Sequence, residues 1–233
     1  MTITTTEVKT ITSTKFTKYE NCDMTLAGYK ALQYVNLPHS RLNIEGGCKD
    51  LSDFNDYMTF LKDNIEPSIL LSIVKRSISN MSVQIISQIL NRRPFLNILE
   101  IGTFKGYSAG IYKYFSPKSY VTTIDIADNP EKYVLWDLFD YSPIFVHGTS
   151  SQIPPGKYDF VFIDGEHTYD WCRFDWNNVV PHLADNAIVL FDDLNHGGGC
   201  GNMFHEIVES DKYVTELWEF KGNPILGAVN YTI

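Results

Sequence analysis

Four side chains that could bind a metal ion or exchange a proton follow two apolar runs in the C-terminal half of the sequence. Asp164 ends the first run and His167 follows it by three residues, while Asp192 and Asp193 end the second run. Mg²⁺ takes about six oxygen ligands, so three carboxylates leave room for substrate oxygens and a water. A neutral histidine, with an ordinary pKa of about 6.5, can take a hydroxyl proton near neutral pH. The pattern predicts a cation site at Asp164, Asp192 and Asp193, with the alternative that these aspartates only cap loops or helices.

A second group of residues predicts a site for a nucleoside-containing cofactor. Gly102 and Gly106 allow a tight turn and a close approach of a ligand to the backbone. Ser108 lies in the opening turn of the next helix, where backbone amides favour an anion. Asp125 lies 25 positions after Glu100, at the end of the next apolar run, where an acidic side chain can accept both hydroxyl hydrogens of a ribose.

The nicotinamide fingerprint is incomplete in this turn. Thr103 and Phe104 stand where its second glycine would fall, and without that glycine a pyrophosphate cannot easily approach the backbone. A Tyr-x-x-x-Lys string runs from Tyr114 to Lys118, but it contains Pro117 and cannot form a catalytic pair on a helix. An NAD(P)-dependent oxidoreductase therefore remains a distant alternative.

Short apolar runs alternate with helical segments from residue 95 onward, and these elements must position the residues above. Runs of β-branched and aromatic residues are typical of parallel strands buried on both faces, and their alternation with helices indicates a doubly wound α/β sheet. Ligands bind beyond the carboxyl ends of such strands. The last segment predicts two strands that close the sheet as an antiparallel hairpin through Gly222. The five runs span residues 95–101, 120–126, 143–148, 158–164 and 187–193.

The chain divides in this interpretation into an N-terminal extension, residues 1–80, and a catalytic domain, residues 81–233. A helix is expected to begin near Ser52, and the apolar spacing between Ile78 and Leu90 predicts an amphipathic helix. We expect the extension to cap the substrate pocket or to form a subunit contact in a homo-oligomer.

The 233-residue chain carries a net charge of −9 and 44% hydrophobic residues. This composition excludes a disordered or collagen-like chain, and the acidic balance argues against nucleic acid, whose binding relies on Lys and Arg. No segment approaches the ~20 apolar residues of a membrane span, and the Thr-rich start lacks the apolar stretch of a secretory signal. The four cysteines are scattered without a Cys-x-x-Cys pair, so free thiols in a reducing cytoplasm are expected.

The segment from Glu100 to Ala109, Glu-Ile-Gly-Thr-Phe-Lys-Gly-Tyr-Ser-Ala, resembles the first cofactor motif of class I S-adenosylmethionine-dependent methyltransferases. Within that class, residues 80–233 resemble metal-dependent O-methyltransferases of the catechol type and of the sugar and macrolide type. The resemblance implies a Rossmann-like, seven-stranded, mostly parallel sheet with an antiparallel terminal hairpin. It also implies two cofactors, S-adenosylmethionine and Mg²⁺ or a similar divalent cation.

The resemblance assigns a role to each matching residue of these motifs. Gly102 and Gly106 would line the methionine portion of the cofactor, and Tyr107 and Ser108 would lie near its carboxylate. Ser150 would lie beside the adenine. The complete set expected to bind the cofactor is Glu100, Gly102, Thr103, Gly106, Tyr107, Ser108, Asp125, Ser150 and Asp164.

The implied activity is methylation of a hydroxyl on a small vicinal diol, a sugar or a catechol, with no nucleic acid or membrane partner. His167 would be the catalytic proton acceptor, because it stands where the sugar and macrolide enzymes have histidine and the catechol enzymes have lysine. Asp193 stands where many family members have asparagine, but it fits the sugar-modifying branch. A metal-independent methyltransferase and a non-catalytic cofactor-binding module remain as alternatives.

Two further features near these motifs are ambiguous in the sequence. His196 lies in a glycine-rich loop that we interpret as a mobile substrate lid, because neither a helix start nor Lys-Ser/Thr follows it. The aromatic residues Tyr169, Trp171 and Trp176 could stack on a substrate ring or pack in the core.

Overall fold

The computed structural model describes residues 17–19, 52–92, 97–195, 198–220 and 223–230. Within these ranges the strands are β1 (Thr17–Tyr19), β2 (Asn97–Ile101), β3 (Tyr120–Asp125), β4 (Ile144–His147), β5 (Tyr158–Ile163), β6 (Leu183–Phe191), β7 (Val214–Phe220) and β8 (Asn223–Asn230). They form one sheet in the order β1-β7-β8-β6-β5-β2-β3-β4. β8 is antiparallel to both of its neighbours, and the other pairs are parallel.

Strands β2 to β8 form the predicted Rossmann-like sheet, and β7 and β8 form its antiparallel terminal hairpin. The predicted fold class is therefore confirmed. Strand β1 adds an eighth strand at the edge, parallel to β7. Its three residues are too few to carry a hydrophobic period that the sequence could reveal. The predicted turn at Gly222 lies outside the described residues.

Helices cover both faces of the sheet. They are α1 (Ser52–Asn64), α2 (Pro67–Val74), α3 (Asn80–Arg92), α4 (Tyr107–Phe115), α5 (Glu131–Leu138), α6 (Tyr169–Val179) and α7 (Gly199–Glu209). Because side chains alternate along a strand, Phe160 and Phe162 of β5 pack with α1 to α5, while Val161 and Ile163 pack with α6 and α7. None of the described helices is both long and apolar enough to span a bilayer.

Backbone hydrogen bonds extend the parallel pairing one residue beyond the strand ends. The amide of Gly102 donates to Ile124 over 2.8 Å, and the amide of Asp164 donates to Ile101 over 2.9 Å. The amide of Asp192 donates to the carbonyl oxygen of Ile163, next to Asp164, over 3.1 Å. The residues that the sequence singled out therefore emerge side by side at one edge, because β2, β3, β5 and β6 all end there.

Helices α1 and α2 pack into the same hydrophobic core as the helices that follow them. Tyr57, Leu61, Leu70 and Ile73 are buried in that core. The Tyr57 hydroxyl also donates a hydrogen bond to the carbonyl oxygen of Tyr107, 3.2 Å away. The predicted helix start near Ser52 is confirmed. The division into residues 1–80 and 81–233 stays a prediction, and residues 20–51 lie outside the described part of the chain.

Two predictions about α6, α7 and the loop before α7 are wrong. Cys172 of α6 and Cys200 of α7 form a disulfide, although we expected free thiols. Their separation of 28 residues gave no spacing signal, and only the packing of α6 against α7 brings the sulfur atoms together. A helix also begins directly after the glycine-rich loop, because Gly198 adopts a left-handed conformation (φ 79°) that starts α7. Cys22, Cys48 and His196 lie outside the described residues.

Candidate active site

A cavity of about 830 Å³ opens at the carboxyl edge of the sheet. Strands β2, β3, β5 and β6 each contribute the residues just beyond their ends to its wall, and residues 76–79 before α3 also line it. Of the predicted site residues, the structure brings together Gly102, Thr103, Tyr107, Ser108, Asp125, Ser150, Asp164, His167, Asp192 and Asp193. Glu100 and Gly106 do not line the cavity.

Glu100 lies beneath the glycine turn rather than in the cavity wall. Its side chain has no exposed surface, and its carboxylate accepts hydrogen bonds from Thr123 (2.5 Å) and Tyr112 (3.1 Å). Burial raises the pKa of this carboxyl to about 7, although hydrogen bonds from Ser108, Thr123 and Tyr112 oppose the shift. Its predicted contact with the cofactor stays a prediction.

Close packing within the protein requires glycine at both Gly102 and Gly106. A Cβ atom on Gly102 (φ 99°) would lie 2.0 Å from the carbonyl oxygen of Asp164. A Cβ atom on Gly106 (φ 74°) would lie 2.8 Å from Cβ of Lys132. These glycines therefore allow β2 to approach β5, and α4 to approach α5, more closely than any other residue would permit.

Phe104 occupies the position of the missing second glycine and has the backbone conformation that a glycine would favour. Its φ of 44° is unusual for a bulky residue. Asp125 stabilises this conformation, because its Oδ2 accepts a 2.7 Å hydrogen bond from the Phe104 amide. The other oxygen, Oδ1, accepts from the amide of Ala127 at 2.7 Å. Both carboxylate oxygens are thus fixed at the cavity wall, each with a further lone pair for a ribose hydroxyl.

Ser150 belongs to a short network below the loop that follows β4. Its hydroxyl accepts a 3.1 Å hydrogen bond from Nδ2 of Asn178. Burial raises the pKa of Asp175 to about 6, against the lowering effect of Ser150. Asp175 and Asn178 both lie on α6. The sequence analysis missed Asp175, because in the sequence it is one polar residue among the aromatic residues of an ordinary amphipathic helix.

Asp164, His167 and Asp193 form the group that the described structure offers as a metal site. Ligand atoms of all three lie within 4.8 Å of one another, and all three residues are half-buried. Nδ1 of His167 is 3.3 Å from Oδ2 of Asp193. Asp193 has a left-handed backbone conformation (φ 52°), which aspartate tolerates and which turns its side chain toward the cluster.

Asp192 adjoins this cluster but is held by a second partner. It is buried, and its Oδ1 accepts a 3.1 Å hydrogen bond from the Ser82 hydroxyl of α3. Burial, reinforced by the charge of Asp193, raises the pKa of Asp192 to about 8. Burial and the carboxylates of Asp192 and Asp193 raise the pKa of Asp164 well above its usual range. Packed carboxylates that repel one another in this way favour a bound cation.

The cavity wall also contains residues that the sequence analysis did not assign to the site. Arg76, with a φ of 65°, and Ser77 to Ser79 border it. Asn195 is 3% exposed, and its Nδ2 has no hydrogen-bond partner among the described residues. Of the ambiguous aromatic residues, Trp171 is exposed at the cavity, whereas Trp176 is buried in the core.

Comparisons with known proteins agree with this architecture. Residues 99–194, from β2 to just beyond β6, match a family model described as a methyltransferase domain. No curated protein sequence matches the chain. An O-methyltransferase from Bacillus cereus in complex with S-adenosylhomocysteine has a similar structure at 14% identity, with a TM-score of 0.58 over 78% of this chain and 100% of that one.

Two other solved structures share the fold. A putative caffeoyl-CoA O-methyltransferase from Staphylococcus aureus is 17% identical, with a TM-score of 0.59 over 78% of this chain and 100% of that one. The methyltransferase MycE of the mycinamycin biosynthetic pathway, in complex with Mg and S-adenosylhomocysteine, is 12% identical, with a TM-score of 0.52. That match covers 77% of this chain and 53% of MycE.

The matched segment and the fold agree with each other. Residues 99–194 match a methyltransferase domain model, and the sheet around them has the fold of the solved methyltransferase structures described above. The predicted class, an enzyme that transfers methyl groups, is confirmed.

Proposed function

We propose that the protein transfers a methyl group from S-adenosylmethionine to a hydroxyl of a small vicinal diol, a sugar or a catechol-like compound, with the help of a divalent cation. The observation that carries this proposal is the position of the acidic cluster. Asp164, His167 and Asp193 converge within 4.8 Å beside the same cavity that holds Asp125 and the glycine turn.

The donor atoms of the cluster suit a hard cation. Asp164, Asp192 and Asp193 offer carboxylate oxygens, which Mg²⁺ prefers, and three protein oxygens would leave places for two acceptor oxygens and a water. Burial, reinforced by repulsion from Asp192 and Asp193, raises the pKa of Asp164, and a cation would relieve that repulsion. The Mg in the MycE structure supports the same assignment.

The bound groups would supply the reactive chemistry: S-adenosylmethionine the methyl group, and the cation a positive charge that lowers the pKa of an acceptor hydroxyl. The protein supplies the proton acceptor. With Nδ1 of His167 facing Asp193, the Nδ1 hydrogen points at the carboxylate and Nε2 takes the hydroxyl proton. Enclosing the reacting groups between β5, β6 and residues 76–79 positions them and excludes water.

Substitution of His167 tests whether it acts as the proton acceptor or as a third metal ligand. As a proton acceptor, His167→Ala should bind Mn²⁺ or Mg²⁺ within about threefold of the wild type in calorimetric titrations. Its turnover should fall about 100-fold or more, the usual contribution of general base catalysis. Glu166→Ala is the matched control, because Glu166 is an exposed neighbour in the same loop. Loss of cation binding in His167→Ala would make the histidine a ligand.

The role of the cation is tested with Asp164→Ala and with chelation. Both should abolish methylation of a catechol and sugar diol panel, followed by mass spectrometry, while binding of S-adenosylhomocysteine remains within a few-fold. Full turnover in excess chelator would overturn the cation's role and leave a metal-independent methyltransferase. Tight cofactor binding with no methylated product from any diol would instead favour a non-catalytic module.

A further inference from the structure

Ser82 is a buried polar residue in the first turn of helix α3, outside the segment that matches the methyltransferase model. Its side chain has no exposed surface, and it does not line the cavity. Its hydroxyl nevertheless donates a hydrogen bond to Oδ1 of Asp192, 3.1 Å away and 110 residues later in the chain. Ser82 is thus in direct contact with one of the carboxylates proposed to hold the cation.

The hydrogen bonds around Ser82 leave its hydroxyl hydrogen for Asp192. The Ser79 hydroxyl lies 2.9 Å from the Ser82 hydroxyl, and it accepts a 3.0 Å hydrogen bond from the Ser82 amide. This is the geometry of a helix N-cap, in which a serine oxygen accepts from the third residue of the helix. Because a hydroxyl has one hydrogen, and that of Ser82 is given to Asp192, the hydrogen between the two serines comes from Ser79. The start of α3 therefore fixes where the Ser82 hydroxyl lies.

The bond from Ser82 divides the two carboxylate oxygens of Asp192 between the protein and the cavity. Asp192 is 6% exposed and lines the cavity. Because Oδ1 is engaged with α3, Oδ2 is the oxygen available to a ligand in the cavity. The main chain of Asp192 is fixed as well, since its amide donates to the carbonyl oxygen of Ile163 over 3.1 Å. With the main chain and one oxygen both held, the direction of the second oxygen is determined.

We propose that Ser82 is a positioning residue for the divalent cation, because it holds Asp192 with one carboxylate oxygen directed at the acidic cluster. This inference rests on the proposed use of a cation. Outer hydrogen bonds orient the carboxylates that bind a metal, and losing one typically costs about 10- to 100-fold in metal affinity. A single oxygen from Asp192 also suits the octahedral coordination that Mg²⁺ requires. Helix α3 thereby contributes to the cation site without touching the cation.

The test compares binding of Mn²⁺, without a methyl acceptor, to the wild type and to Ser82→Ala by titration calorimetry. Electron paramagnetic resonance of the free Mn²⁺ gives an independent count of the bound ions. Ser82→Ala should bind Mn²⁺ at least about tenfold more weakly, because the freed carboxylate of Asp192 can rotate away from the cluster. Ser82→Cys keeps a side chain of similar shape with a weaker donor, so it should show a smaller loss in the same direction.

Ser87→Ala is the matched control, because Ser87 lies on the same helix and is equally buried. Its hydroxyl also donates to an aspartate, Asp53, at 2.9 Å, but neither residue lines the cavity. This variant should lose a hydrogen bond of the same kind and still bind Mn²⁺ within about threefold of the wild type. The calorimetric stoichiometry reports the folded fraction separately from Kd, so partial unfolding cannot mimic a loss of affinity.

Unchanged or tighter Mn²⁺ binding in both Ser82 variants would overturn the proposal and leave the hydrogen bond with a structural role only. An equal weakening in Ser87→Ala would also overturn it, since a general loosening of α3 would then explain the effect. Binding of S-adenosylhomocysteine without metal should be the same in all these proteins, and a parallel loss in Ser82→Ala would indicate a distorted cavity instead. Failure of the wild type to bind Mn²⁺ would overturn the proposed cation together with this inference, whereas a Ser82 variant that binds like the wild type would overturn the inference alone.

Discussion

The buried carboxyl of Glu100 makes the stability of the fold depend on pH. Its pKa is raised from 4.5 to about 7, chiefly by burial. Between these values the folded protein holds a proton that the unfolded chain has released, so the free energy of unfolding must fall as pH rises through this window. The hydrogen-bond partners of this carboxyl, Thr123 and Tyr112, are themselves buried.

Glu100→Gln should remove this pH dependence. The amide occupies the same volume and never ionises, so above pH 7 the variant should gain stability relative to the wild type, by up to roughly 3 kcal/mol. Urea unfolding of both proteins without ligands at pH 5, 6, 7 and 8 measures the difference. A difference that is the same at every pH would contradict the assignment of the shift to Glu100.

Asn195 is a different kind of residue, because its Nδ2 has no hydrogen-bond partner among the described residues. Because its Nδ2 makes no hydrogen bond within the described structure, Asn195→Ala should leave the melting temperature within about 2 °C. If the amide orients the acceptor, KM for a methylated diol should rise about tenfold while the affinity for S-adenosylhomocysteine stays constant.

Ser82→Ala provides the contrast for Asn195, since it removes a hydrogen bond that Asp192 does receive. That variant should lower the melting temperature. A comparable loss of stability in Asn195→Ala would show that the amide has a structural partner instead.

The disulfide between α6 and α7 is the main covalent link between elements in the described structure. It closes a loop of 28 residues that contains the end of α6, strand β6 and both aspartates after it. Chain-entropy estimates give such a loop roughly 3–4 kcal/mol of stabilisation. Reduction of the wild type should lower the free energy of unfolding by about this amount.

A Cys172→Ser variant should be less stable than the oxidised wild type and insensitive to the reductant. Mass spectrometry after alkylation without reductant supplies the independent check. Labelling of both Cys172 and Cys200 in the unreduced, denatured protein would contradict the bond. The expected cytoplasmic location also stays a prediction, because disulfides persist mainly in oxidising compartments.

Strands and helices whose residues show a local hydrophobic pattern could be predicted from the sequence. Contacts between distant elements could not. The apolar runs ended at Asp125, Asp164 and Asp192 because buried parallel strands are uniformly hydrophobic, and the structure places all three at the cavity. The side of the sheet to which Glu100 points depends on which helices cover each face, which no local pattern records. Asp175 and Asn195 likewise reach the cavity only through the packing of distant segments.

At the scale of the whole molecule, several acidic residues cluster in the cavity where the ligands would bind. The cavity is lined by Asp125, Asp164, Glu166, Asp175, Asp192 and Asp193, with Arg76 and Lys105 as its basic residues. Lys105 is already engaged with Glu131, 3.4 Å away, and with the carbonyl oxygen of Ser72. Such a cavity attracts cations, and S-adenosylmethionine itself carries a positive sulfonium centre.

Ligand-induced stabilisation should separate the two nucleoside cofactors. At about 100 times its Kd, S-adenosylhomocysteine should add about 2.7 kcal/mol to the free energy of unfolding and raise the melting temperature by roughly 5–10 °C. NADH at the same concentration should produce no shift, because the turn at Thr103 and Phe104 cannot admit a pyrophosphate. Stabilisation by NADH and not by S-adenosylhomocysteine would favour the oxidoreductase alternative.

The close contact of Gly102 with Asp164 joins the cofactor turn to the acidic cluster. The carbonyl oxygen of Asp164 lies 2.0 Å from the place that a Cβ atom on Gly102 would take, and the amide of Asp164 donates a hydrogen bond to Ile101, the residue just before that glycine. Any shift of the turn would therefore press on the backbone of Asp164, the first residue of the cluster. If the cation changes the affinity for the cofactor by some factor, the cofactor must change the affinity for the cation by the same factor. The predicted few-fold effect of chelation on S-adenosylhomocysteine binding would therefore appear as an equal effect of S-adenosylhomocysteine on cation binding, and each dissociation constant should be stated with the concentration of the other ligand.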